Sequence, residues 1–84
     1  MSDLEFDVLD ELYFVQSYNG LGEATGFEDD LLKKVLKKLL SKKWIKGLSS
    51  MTEDIPYEEL DFDKDFRRIY YLATKSGLLA HNNQ

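Results

Sequence analysis

Residues 29–43, DDLLKKVLKKLLSKK, constrain this chain more than any other stretch. At helical spacing of about 100° per residue, Leu31, Leu32, Val35, Leu36, Leu39 and Leu40 fall on one half of the surface. Lys33, Lys34, Lys37, Lys38 and Ser41 fall on the other. A helix divided so completely must lay its leucine half on other elements, because apolar surface gains free energy by leaving water. Glu28 or Asp29 stands at the capping position, and the helix is predicted to run to about Lys43. The plain reading of the lysine half is a solvated back. Asp29–Lys33 and Asp30–Lys34 then lie at i,i+4 spacing, each pair worth about 0.3 kcal/mol, while Lys42, Lys43 and Lys46 favour the negative helix C-terminus.

That helix also concentrates the positive charge. Residues 1–30 carry nine acids and no base, residues 31–48 seven lysines and no acid, and residues 49–84 seven acids and four bases. The net charge of −5 repels polyanions at long range, so any contact with nucleic acid must come from local charge. Eighty-four residues suit one small domain, residues 1–84, with a single core. Without cysteine, the chain has no disulfide framework, thiolate zinc site or cysteine nucleophile. No apolar run approaches the ~20 residues that span a bilayer, and the acidic start MSDLEFDVLDEL is the opposite of a signal peptide. The expectation is a soluble cytoplasmic protein with no membrane contact.

Ser2 or Asp3 is predicted to cap a first helix whose stripe, Leu4, Val8, Leu9, Leu12, Tyr13 and Val15, runs to about Tyr18. Asn19-Gly20 reads as a turn or kink. Residues 21–25 read as a short helix closed by a left-handed Gly26, with Phe27 packed beneath the turn and Gly22 permitting close approach of a neighbour. Residues 44–48 and 67–72 have strand composition and are predicted to pair as a hairpin. Between them, residues 49–66 are polar and acidic, with the only proline at 56. They read as a mobile tip or as a short turn around residues 56–60. Thr74 or Ser76 is predicted to cap a last turn, Gly77 to His81, before a frayed end.

Two pieces of this order resemble a winged helix-turn-helix domain of the MarR or PadR type. LGEATGFEDDLLKKVLKKLLSKKWI resembles a short helix, a glycine turn and a recognition helix leading into a strand. RRIYYLATKSGLLAH resembles the returning wing strand and helix restart. Together they span about residues 4–80. The resemblance implies an α+β, mainly α fold of three helices and a two-stranded wing. It also implies a transcriptional regulator that inserts residues 29–43 in the major groove of double-stranded DNA. Lys33, Lys34, Lys37 and Lys38 would contact phosphate, with Arg67 and Arg68 assisting from the wing; for the two arginines, pairing with the acidic tip is an equally good reading.

The chain departs from that pattern in four places. Glu28, Asp29 and Asp30 stand at the helix start that usually meets base edges, where they repel phosphates. The helix lacks arginine, asparagine and glutamine, the usual bidentate base readers. Residues 53–65 hold seven acids against one lysine, whereas DNA-contacting wings are basic. No long dimerisation helix follows, so a monomer or weak dimer is expected. An alternative follows: a protein-interaction module whose acidic wing or first helix, with Tyr13 or Phe14 exposed, takes a basic or apolar partner.

Other sites carry less. Asp61, Asp63 and Asp65 mimic the opening of an EF-hand, but Phe66 and Leu72 stand where glycine and glutamate are required. As a strand, this stretch would put the three aspartates on one face and Phe62, Lys64 and Phe66 on the other. His81, the single histidine, has no second ligand at helical spacing. Ser49 and Ser50 have no nearby base, so no enzyme, metal or cofactor is expected.

Overall fold

The first helix, α1 (Asp3–Glu11), starts from a reciprocal cap. Ser2 Oγ accepts the Glu5 backbone N–H at 3.2 Å, and the Glu5 carboxylate accepts the Ser2 backbone N–H at 3.0 Å. The computed structural model describes residues 1–83. Glu5 lies only 2% exposed among Val8, Leu9 and Leu12, and Lys42 Nζ donates to its second oxygen at 2.7 Å. The helix stops at Glu11 rather than near Tyr18. Beyond it the Leu12 carbonyl accepts the Ala73 N–H at 2.9 Å, and a short strand β1 (Gln16–Ser17) pairs with Tyr71 and Tyr70. A sheet partner remote in sequence supplies the backbone hydrogen bonds that further helical turns would have made.

Ser17 then caps α2 (Tyr18–Thr25), accepting the Gly20 N–H at 3.0 Å. Asn19-Gly20 therefore lies inside a first helical turn and is not a break. Gly26, at φ +71°, closes α2 in the left-handed conformation, as its position predicted. Gly22 is not a close-approach site. A methyl there would sit 3.8 Å from Leu32, an ordinary contact.

Helix α3 (Asp29–Ser41) buries Leu32, Val35, Leu36, Leu39 and Leu40, and leaves Leu31 half-buried. Glu28 occupies the N-cap but makes no side-chain cap. At the other end Lys43 adopts φ +60° where glycine is usual. Its N–H donates to Leu40 O at 3.0 Å, and the Trp44 N–H donates to Leu39 O at 3.1 Å. This Schellman closure holds a lysine in a conformation that costs about 1 kcal/mol.

The strands β2 (Ile45–Ser50), β3 (Glu53–Ile55) and β4 (Tyr70–Ala73) complete an antiparallel sheet in the order β1-β4-β2-β3. The predicted pairing of 44–48 with 67–72 is present in part: the ladder runs from Ile45↔Ala73 to Leu48↔Tyr70, and residues 67–69 form a turn and bend before β4 rather than strand. The intervening segment, however, is not one long tip. A hairpin turns at residues 51–52 and returns as β3, opposite Gly47 and Leu48. A 3-10 turn (Tyr57–Glu59) and a one-turn helix α4 (Phe62–Asp65) then fold back over α3. Phe62 is 8% exposed and belongs to the core. The segment is helical here, not extended, so Phe62 and Phe66 share a side four residues apart, with ring centroids 5.7 Å apart.

The last helix, α5 (Lys75–Asn82), is capped by Thr74, whose Oγ1 accepts the Gly77 N–H at 3.1 Å. It packs against α1. His81 is accordingly not at a frayed end. It stacks on Phe6 at 4.1 Å, and the Tyr13 hydroxyl lies 2.8 Å from its Nδ1. Five helices and a four-stranded antiparallel sheet among the described residues make a small α+β fold, richer than the expected three helices and two strands. Among the described residues, no helix is long and apolar enough to cross a membrane.

Two predictions follow from the packing. A methyl group on Gly77 would lie 1.9 Å from the Trp44 carbonyl oxygen. Gly77→Ala should therefore cost about 2–3 kcal/mol in a urea melt, whereas Gly22→Ala, inside a helix and without a clash, should stabilise by about 0.5–1 kcal/mol. The second concerns Glu5. Burial pushes its carboxyl upward, but the Lys42 ammonium and the Ser2 N–H and hydroxyl outweigh this and hold it near about 2. A depressed carboxylate stabilises the fold above its unfolded value of 4.5, and that contribution is lost as pH falls toward about 2. Lys42→Met should cost about 1–2 kcal/mol at neutral pH. The difference from wild type should shrink between pH 4.5 and 2, as followed by thermal melts.

Candidate nucleic-acid interface

The buried leucines turn the lysine half of α3 outward, and the polar segment 57–68 lies along it. Of the six cations expected to contact DNA, four have acidic partners. Lys37 Nζ donates to both oxygens of Asp63 at 3.2 Å, and Lys33 Nζ lies 3.7 Å from the same carboxylate. Arg67 is ion-paired with Asp29, and Arg68 lies 4.0 Å from Asp65. Lys34 and Lys38, one turn apart and exposed, make no ion pair among the described residues.

The pairs Asp29–Lys33 and Asp30–Lys34 expected along the helix do not form. Asp29 is taken instead by two groups from other elements. The Tyr18 hydroxyl donates to Asp29 Oδ1 and to its backbone carbonyl, both at 2.8 Å, and Arg67 closes the other side. The Tyr18 hydrogen bond, followed by Arg67, holds the Asp29 carboxyl below the usual carboxylate range. Tyr18 moves the other way. Burial, then the hydrogen bond to Asp29, pushes its phenol up to about 12. The Arg67 guanidinium lies 5.4 Å from the Tyr18 ring and 5.0 Å from that of Phe66. The start of α3 is thus tied to α2 and to the approach of β4 by one aromatic and ionic cluster.

Phe66 performs a second task. Its ring meets Tyr18 edge-on at 5.1 Å, and Lys33 Nζ sits 4.6 Å above it. Lys33 is therefore held between a π face and a carboxylate, its stem half-buried. Tyr18, Asp63 and Phe66 were not singled out from sequence as shaping this face. Their partners lie far along the chain (Lys37 to Asp63 spans 26 residues, Asp29 to Arg67 spans 38), and no local spacing announces such pairs.

Elsewhere, Lys46 and Asp54 pair across the β2–β3 hairpin at 2.8 Å. Phe14 is 78% exposed, while Tyr13 is engaged by His81 and donates to Asn82 Oδ1 at 2.9 Å. Both adjacent aromatics are exposed, Tyr13 at 41% and Phe14 at 78%, with Tyr13 anchored by its hydroxyl. Among the described residues, no group of three or more histidine or acidic side chains is arranged to hold a metal ion.

Comparison of the chain with protein-family models, with curated proteins and with solved structures found no match.

The Tyr18–Asp29 bond makes a measurable prediction. Asp29→Ala should lower the Tyr18 phenol from about 12 toward its ordinary value, leaving only the part due to burial. Spectrophotometric titration near 295 nm (about the phenolate maximum) should show one additional tyrosine ionising early. An unchanged titration curve would mean that Asp29 does not govern this phenol.

Proposed function

We propose that this chain is a winged-helix domain of the MarR/PadR-like type that contacts double-stranded DNA through the lysine half of α3, as a cytoplasmic transcriptional regulator. One observation carries the reading. Helices α2 and α3 are joined by only Gly26, Phe27 and Glu28, and the second exposes Lys34, Lys37 and Lys38 on the side opposite its buried leucines. Phosphates are met by Lys34 and Lys38 first, because these cations make no ion pair among the described residues, and by Lys33 and Lys37 once Asp63 yields. Arg67 and Arg68 assist only weakly, since Asp29 and Asp65 already engage them.

The binding is to backbone rather than to sequence. Lysine is a point charge without the planar fork that reads guanine, and no asparagine or glutamine stands on α3 to read adenine. Glu28, Asp29 and Asp30 keep the helix N-terminus away from base edges.

A second reading has its own support. Glu53, Glu58, Glu59 and Asp61 are exposed on the segment after β2, and Phe14 stands out from the loop after α1. These features suit a protein-interaction module with an acidic surface for a basic partner.

Salt dependence separates the two readings. A monomer using four lysines should give a slope of log K against log[salt] of roughly −3 to −4 with random duplex DNA. Lys34→Glu with Lys38→Glu should abolish binding and leave the melting temperature nearly unchanged, because both side chains are exposed. Absence of duplex binding by wild-type protein at ~20 mM salt, where screening is weak, would exclude the DNA reading and favour the interaction module.

A further inference from the structure

Lys33 and Lys37 stand one turn apart on α3, and their ammonium groups converge on a single carboxylate. Lys37 Nζ lies 3.2 Å from both oxygens of Asp63, and Lys33 Nζ lies 3.7 Å from one of them. A two-oxygen anion between two ammonium groups imitates the pair of non-bridging oxygens of a phosphodiester. The geometry is held from both sides. Phe62 is buried in the core and Phe66 packs on Tyr18, so the helical turn between them presents Asp63 toward α3. The Phe66 ring in turn positions the Lys33 ammonium.

We infer that Lys33 and Lys37 form a phosphate seat, and that Asp63 occupies it in the free protein as an intramolecular competitor for nucleic-acid phosphate. The inference rests on the DNA-contact reading for its biological meaning, but the seat itself is a property of three side chains. The competitor is displaceable. Asp63 and Lys37 are both 62% exposed, where an ion pair holds its partners weakly. Asp63 thus lowers affinity without blocking the face, and Lys34 and Lys38 remain outside its reach.

The test compares wild type, Asp63→Asn and Glu59→Gln. Glu59 is an exposed acid on the same segment that makes no ion pair among the described residues, so it controls for net charge alone. Inorganic pyrophosphate, titrated by amide chemical shift, reports on the seat independently of DNA. Asp63→Asn should bind it about fivefold more tightly than wild type, with shifts centred on residues 33–37, and Glu59→Gln should resemble wild type. Equal affinity of wild type and Asp63→Asn, or an equal gain in Glu59→Gln, would overturn the seat. Random duplex DNA forms the second arm, where Asp63→Asn should gain by a similar factor. If the pyrophosphate gain appears but no variant binds duplex, the seat stands and the DNA reading fails. If duplex is bound equally by all three, the DNA reading stands and Asp63 is no competitor.

Discussion

Burial of Leu32, Leu36 and Leu39, each at most 1% exposed, fixes the rotation of α3, and the arrangement of the charged surface follows from that rotation. Each such side chain contributes about 1.5–3 kcal/mol, whereas a surface ion pair contributes at most about 1 kcal/mol. The core therefore decides which way the helix faces, and the lysines point outward because no alternative rotation buries the leucines. The end of the same helix organises a junction. Left-handed Lys43 turns the chain into β2, its carbonyl accepts from Thr74 Oγ1 at 2.8 Å, and the Trp44 carbonyl accepts the Thr74 N–H at 2.9 Å. Gly77 passes beneath Trp44 with no room for a methyl group. Helix, sheet and last helix meet there.

Once the lysine half faces outward, the acidic segment after β2 is drawn across it. Phe62 anchors that segment in the core, and Asp63 and Asp65 then engage Lys33, Lys37 and Arg68. Much of the positive face is consequently neutralised from within. An acidic chain can keep so basic a helix because its own carboxylates stand in for external anions. An anion approaching Lys33 or Lys37 from outside has to compete with Asp63 for them.

Local signals were readable in the chain wherever both partners of an interaction sit within one turn. Gly26 closes α2 where its position placed it, and Ser2 and Thr74 were each one of two cap candidates in the right turn. The leucine period of α3 and the pairing of β2 with β4 were equally plain, because apolar patterning repeats over many residues. Three features were not readable. Strand β1 is two residues long, too short for any alternation, and exists because β4 offers it a ladder. Lys43 fills a position where glycine would have been the signal. Phe62 and Phe66 are four residues apart, a spacing that suits one side of a helix and one face of a strand equally.

The sequence by itself thus determined that one helix would be split between leucine and lysine, that two strands would pair beside it, and to within a residue or two where three of the helices start. It did so because those properties depend on neighbours within a few residues or on a repeated period. Only the tertiary structure decided whether the lysines would be free. Their carboxylate partners come from 26 or more residues away, and Coulomb attraction follows distance in space, not separation along the chain.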